Sequence, residues 1–150
     1  MYYLEDFSVG QSYEPTGRYM ITEDEIMEIG QRWDPQPFHI DREAASNSQF
    51  GGLIACSIHL FAIVCWFSHQ LDESVAAVAG LGWDKVRMYT PVMAGDEISC
   101  KVMVLEARPS NSRPDCGVIS VHNDLFNQRR DLVYSAQNSF LILRHPSGSS

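Results

Sequence analysis

Fifteen consecutive residues, Leu53 to Phe67, are apolar at every position except Ser57 and, in part, His59. A bilayer-spanning helix needs about 20 such residues, so the run reads as a buried helix and not as a membrane segment. A helix with no polar face has to be wrapped by other parts of its own chain. The sequence downstream supplies the wrapper, because from Val75 to Leu143 strand-like runs alternate with turn clusters. The runs are Val75 to Tyr89, Glu97 to Arg108, Gly117 to Phe126 and Leu132 to Leu143. They are broken at Pro91 to Asp96, Pro109 to Asp115 and Asn127 to Asp131, where proline, glycine and short polar residues favour turns. Connections this short favour antiparallel pairing of successive strands. Gly80 and Gly82 in the first run mark a bulge or a close backbone approach. The expected fold class is α+β, a curved antiparallel sheet around a central helix.

Upstream, the stretch 11–21 is punctuated by Pro15 and Gly17 and reads as an opening strand. Thr22-Glu23-Asp24-Glu25 has the form of a capping box, with Thr22 as cap and Glu25 three residues on. A short helix follows, carrying Ile26, Ile29 and Trp33 at helical spacing, and it stops at Asp34-Pro35. In Asp34-Pro35-Gln36-Pro37-Phe38-His39 a carboxylate and an imidazole stand five residues apart. The two prolines remove backbone donors and push the residues before them away from the α region, so the segment is expected to be extended or turning and not helical. A loop this stiff holds Asp34 and His39 at a fixed separation, where they share one water or one substrate proton as an acid/base pair. The same residues also suit a local aspartate turn and a hydrogen-bonded loop histidine. Asp41 to Ala45 starts a further helical turn, closed by Gly51-Gly52.

A chain of 150 residues suits one domain, expected over 1–146, with the small polar residues 147–150 as a disordered tail. The net charge of −8 with only 11 Lys and Arg argues against a nucleic-acid partner, which is gripped through clustered cations. A small anionic ligand stays open. Met1 to Asp6 lacks the basic and apolar parts of a secretion signal, which suggests a cytoplasmic protein. The four cysteines have no metal-ligand spacing, and Cys56 and Cys65 would fall on opposite sides of one helix; all four read as reduced thiols. Trp83, Lys85, Arg87 and Tyr89 share a strand face by alternation. That face reads as solvated or as an interface; the sharper reading has Lys85 or Arg87 there, or Arg108, Arg113, Arg129 and Arg130 at strand ends, meeting the phosphates of an anionic ligand.

Taken together, Leu4 to Gln11, Thr22 to Ile26, Asp34 to Asp41, Gly51 to Ala55 and Pro91 to Ile98 resemble the MaoC-like dehydratases, the hot-dog group that includes the R-specific enoyl-CoA hydratases. The resemblance implies a hot-dog domain that joins its sheet to a second copy, as a homodimer or larger homo-oligomer. It implies a lyase that adds water to an enoyl thioester or removes it from a 3-hydroxyacyl thioester, carried by coenzyme A or acyl carrier protein, without metal or redox cofactor. Asp34 and His39 match the catalytic pair. Cys56, Ser57, His59 and Gly52 fall at oxyanion or substrate-binding positions, with the Ser57 amide as the expected donor. The chain departs from the family at Cys56-Ser57, where the hydratases have histidine and glycine. That departure keeps in view a non-catalytic subunit that binds acyl thioesters, and a hot-dog thioesterase is the other rival reading. His59 fits a satisfied buried histidine as well as a substrate contact, and Cys56, with no base close in sequence, suits packing better than nucleophilic attack.

Overall fold

The computed structural model describes residues 1–147; the expected tail, apart from Ser147, lies outside them. After a 3₁₀ turn at Leu4–Asp6, the chain forms β1 (Ser12–Tyr13), β2 (Tyr19–Met20), α1 (Glu23–Trp33), α2 (Pro37–Ile40), α3 (Arg42–Ser46) and α4 (Ser57–Phe67). Four long strands complete it: β3 (Ala77–Met88), β4 (Glu97–Pro109), β5 (Cys116–Phe126) and β6 (Leu132–Leu143). The sheet order is β1-β4-β5-β6-β3, with β2 also pairing β4, and every strand pair is antiparallel. No helix among the described residues is long and apolar enough to cross a membrane.

The four strand-like runs become strands with ends within two residues of those expected. Their pairing differs at one point. β3 does not pair with β4, its successor, but crosses over to pair with β6 at the far side of the sheet. The stretch 11–21 yields two two-residue strands instead of one. β4 alternates cleanly, with Ile98, Cys100, Val102 and Val104 buried on the inner face, as period-two geometry requires. These residues join Val121, Leu125, Tyr134 and Ala136 in a core packed around α4.

The central helix starts later than the apolar run. Leu53 to Cys56 is extended, and Ile54 makes an isolated antiparallel bridge to Met93. Leu60, Ile63, Val64 and Phe67 of α4 are all at most 3 % exposed, each contributing roughly 1.5–3 kcal/mol by burial. Ile58 is 48 % exposed, so the described chain leaves one strip of this apolar helix uncovered. Trp33, at helical spacing with Ile26 and Ile29, is 58 % exposed; Ile26 and Gly30 are the buried residues of α1.

Every residue of β3 is exposed. Register shifts at Ala77/Ala79 and Gly80/Gly82 bear out the bulge expected at the glycines. A further shift between Asp84 and Arg87 coincides with a positive φ of 50° at Lys85. This breaks the alternation that was to put Trp83, Lys85, Arg87 and Tyr89 on one face. Trp83 lies against Phe61 of α4, whereas the Tyr89 hydroxyl reaches Ser135.

Candidate active site

Asp34 ends α1, its N–H donating to the Gly30 carbonyl at 2.9 Å, and its φ of −153° with ψ of 77° turns the chain out of the helix. Three residues on, the expected non-helical course fails. Pro37 to Ile40 is one turn of helix with Pro37 at its first position. Proline is at home there because the first helical N–H has no intrahelical partner to lose. The turn rotates His39 inward, where it is 5 % exposed.

Three contacts fix the His39 ring. Its Nδ1 lies 2.6 Å from the Ile54 carbonyl oxygen, and the Ile54 N–H in turn donates to the Phe38 carbonyl at 3.1 Å. Phe38 packs edge-on against the imidazole, with Phe50 behind it. Below, Gly30 of α1 leaves no room for a side chain, since a Cβ there would stand 2.9 Å from the His39 Cβ and 3.1 Å from its carbonyl oxygen. The missing Cβ is what lets α2 sit directly on α1.

A carbonyl oxygen only accepts, so Nδ1 carries a proton, and the tautomer with its lone pair on Nε2 is the one this contact selects. That Nε2 faces Asp34 Oδ2 at 3.5 Å, beyond the 2.7–3.2 Å range of a direct hydrogen bond. A gap of that width leaves both atoms free to contact a third polar group. The His39 side chain is 6 % exposed and that of Asp34 40 %, so the pair is anchored on one side and open on the other.

The extended Ile54 carries on into the start of α4. The first intrahelical bond of α4 runs from the Leu60 N–H to the Cys56 carbonyl, which leaves the N–H groups of Ser57, Ile58 and His59 without helical acceptors. Cys56 caps without a side-chain bond and is buried. Among the described non-glycine residues only Lys85 and Arg130 have positive φ. Serine in place of glycine at position 57 therefore costs no backbone strain. Burial raises the Tyr134 phenol, with the Ser57 hydroxyl nearby pulling the other way, so Ser57 sits over β6. Gly52 packs near Met93, whose methyl would lie 2.9 Å from an added Cβ.

His59 is 1 % exposed, and its Nε2 stands 2.6 Å from Glu25 Oε1. The Tyr19 hydroxyl donates to that same oxygen, and Tyr19 is raised above its usual value by burial first and by Glu25 second. This network was not legible in the sequence. Glu25 reads there as the second half of a capping box, and although Thr22 does cap the Glu25 N–H, the Glu25 side chain turns inward to His59. A third pair, His122 and Asp124 at 2.9 Å, lies on the other sheet face, with Gln137 on the second ring nitrogen.

The remaining candidates separate as follows. All four cysteines are free, and burial raises the thiols of Cys65 and, to about 12, of Cys100, the reverse of an activated nucleophile. Arg108, Arg113 and Arg129 pair with Glu106, Asp115 and Asp131. A cavity of about 530 Å³ lies beside the C-terminal half of α4, lined by Val64, Cys65, Phe67, Trp83 and Phe140 among others; Asp34 and His39 do not line it.

With this geometry in view, the comparisons agree on one family. The model of the MaoC like domain matches residues 6–123. An uncharacterized protein, YdeM, of Bacillus subtilis is 31 % identical over 144 residues, covering 94 % of this chain and 99 % of its own. The crystal structure of a MaoC-like dehydratase from Rhodospirillum rubrum superposes with a TM-score of 0.87 at 32 % identity, covering 97 % of this chain and 99 % of that one. The unliganded R-hydratase PhaJ1 of Pseudomonas aeruginosa shares the fold, with a TM-score of 0.77 at 22 % identity over 95 % of this chain and 86 % of its own. A curved antiparallel sheet around a central helix, the Asp34/His39 pair and these matches lead to one conclusion: the chain belongs to the MaoC-like dehydratase family and has its hot-dog fold.

Proposed function

We propose that this protein is a hydratase that adds water across the double bond of an enoyl thioester, or runs the reverse dehydration of a 3-hydroxyacyl thioester. The observation that carries the reading is His39, with Nδ1 tied to the Ile54 carbonyl and Nε2 facing Asp34 across 3.5 Å. A water held between Nε2 and the carboxylate loses a proton to the pair as its oxygen bonds to the β carbon. The electron pair of the double bond moves toward the thioester carbonyl, whose oxygen gathers enolate charge. The free N–H of Ser57 at the start of α4 is the donor proposed to meet that charge. Collapse of the enolate then takes a proton at the α carbon, supplied by Asp34 and His39 as one coupled pair. Water is thereby added with no change of redox state, so the chemistry calls for no metal or redox cofactor. Coenzyme A or acyl carrier protein serves as carrier of the acyl group. The R-hydratase among the fold relatives supports the same reading.

The working unit proposed is a homodimer. β3 is an edge strand with one partner, β6, and it exposes Val78, Leu81, Trp83, Val86 and Met88, an apolar edge of the kind proteins cover.

The test is crotonyl-CoA, followed by loss of the enoyl absorbance and by a thiol reagent in parallel. The reading expects absorbance loss without thiol release, and near-complete loss of that activity in Asp34→Asn. Thiol release would assign a thioesterase, and tight acyl-CoA binding without turnover would assign a binding subunit.

A further inference from the structure

We infer that Asp96, together with Gln128, is a positioning residue for His39, acting through the turn that begins at Pro91. The inference rests on the proposed role of His39 but concerns residues outside the pair. Asp96 is a carboxylate only 5 % exposed, and among the described residues no cation pairs with it. Its two oxygens accept from two different N–H donors. The Met93 backbone N–H donates to Oδ2 at 2.9 Å, and Gln128 Nε2 donates to Oδ1 at 2.9 Å. Gln128 is itself oriented, because its Oε1 accepts the Glu97 N–H at 3.0 Å.

The turn so locked touches both supports of the acid/base pair. On one side, Met93 bridges Ile54 and the Val92 carbonyl accepts the Ala55 N–H at 2.8 Å; Ile54 is the residue whose carbonyl holds His39 Nδ1. On the other, the Gly95 N–H donates to the Ile21 carbonyl at 2.8 Å and the Ile21 N–H to the Asp96 carbonyl at 2.9 Å. Ile21 precedes Thr22, the cap of α1, and α1 carries both Gly30 and Asp34. One buried carboxylate thus sets the Ile54 carbonyl and the start of the Asp34 helix together. Position 96 requires two acceptors and no donor, which a carboxylate supplies and an amide does not.

That requirement gives a swap test. Asp96→Asn puts an NH₂ group opposite the Gln128 donor, and Gln128→Glu puts a second carboxylate opposite Asp96. In the double variant, the amide at 96 accepts from Met93 and donates to the carboxylate at 128, which still accepts from Glu97, so all three bonds are restored and only the one between 96 and 128 has its polarity reversed. The three variants are assayed for kcat and KM on crotonyl-CoA, with thermal unfolding to confirm folding. In parallel, the ring nitrogens are observed by NMR after ¹⁵N labelling of histidine, His39 being assigned by its loss in His39→Gln. The wild type should show His39 with a protonated Nδ1 and a bare Nε2. Each single variant should mix the tautomers and lower kcat about ten-fold with little change in KM, as expected when a reacting group is slightly misplaced. The double variant should recover both the signature and most of the rate. A double variant no better than the singles, or a His39 signature unchanged in folded single variants, would overturn the inference. Should the wild type not hydrate crotonyl-CoA, the reaction reading falls, while the ring signature still decides the role of Asp96.

Discussion

Two histidine and carboxylate pairs lie along the same helix α1, one at each end. At its start, Glu25 meets His59 at 2.6 Å and takes the Tyr19 hydroxyl on the same oxygen; at its end, Asp34 faces His39 at 3.5 Å. The first pair is closed: its ring is 1 % exposed and its carboxylate oxygen already accepts twice. The second is open: one ring nitrogen is held by a backbone carbonyl, the other presents a lone pair, and the carboxylate is 40 % exposed. The same two functional groups therefore divide by what else they touch. A pair whose ring nitrogen and carboxylate oxygen meet directly, away from solvent, holds elements together, here with His59 Nδ1 buried and without a hydrogen-bond partner among the described residues, whereas a pair with one ring nitrogen anchored and the other facing an open gap is ready for a water or a substrate proton.

Variants of each pair should fail in opposite ways, and the largest effect is expected at the open one. Asp34→Asn should lower kcat for hydration about 10³-fold, with the thermal midpoint close to that of the wild type because no direct hydrogen bond is lost. Next in size, Glu25→Ala should cost about 2 kcal/mol in urea unfolding by leaving His59 buried without its acceptor, while kcat of the folded fraction stays near wild type. Gly30→Ala tests what joins the pairs, since its methyl group would press on the His39 Cβ at 2.9 Å. Alanine in a helix gains about 1 kcal/mol over glycine, and the forced shift of α2 opposes that gain, so stability should move little while kcat drops about ten-fold.

The smallest effect is a pH dependence confined to the closed pair. Burial and then Glu25 raise Tyr19 above its usual 10.0, so the neutral phenol is favoured in the folded protein. The stability this contributes is fully present below pH 10.0 and is lost as pH rises above it. Tyr19→Phe should flatten that alkaline decline in a series of thermal midpoints while leaving the pH dependence of catalysis as it was.

The sequence disclosed the open pair and concealed the closed one, for a physical reason. Asp34 and His39 are five residues apart in a segment stiffened by two prolines, so their meeting is a local matter. Even there, the two prolines point away from the helical turn that Pro37 in fact begins, because proline forbids a helix interior but suits its first position. Glu25 and His59 are 34 residues apart, and Glu25 has a complete local role as a capping residue that masks its tertiary one. Asp96 and Gln128, 32 residues apart, meet only because β4 and β5 are paired. The strand ends were legible from proline and glycine punctuation, yet the crossover of β3 to β6 was not, since local pattern carries no information about which distant edge a strand joins. The late start of α4 has the same origin: an extended Leu53 to Cys56 and a helical one are equally apolar, and the bridge from Ile54 to Met93 decides between them.

The most direct measurement sets the two histidines side by side, His39→Gln against His59→Gln, with kcat for crotonyl-CoA hydration and the thermal midpoint read on the same preparations. His39→Gln should lose at least about 10²-fold in kcat at an almost unchanged midpoint, and His59→Gln should lower the midpoint while its folded fraction turns over at nearly the wild-type rate. Equal losses of kcat in the two variants, or full activity in His39→Gln, would contradict the division of labour between the open and the closed pair.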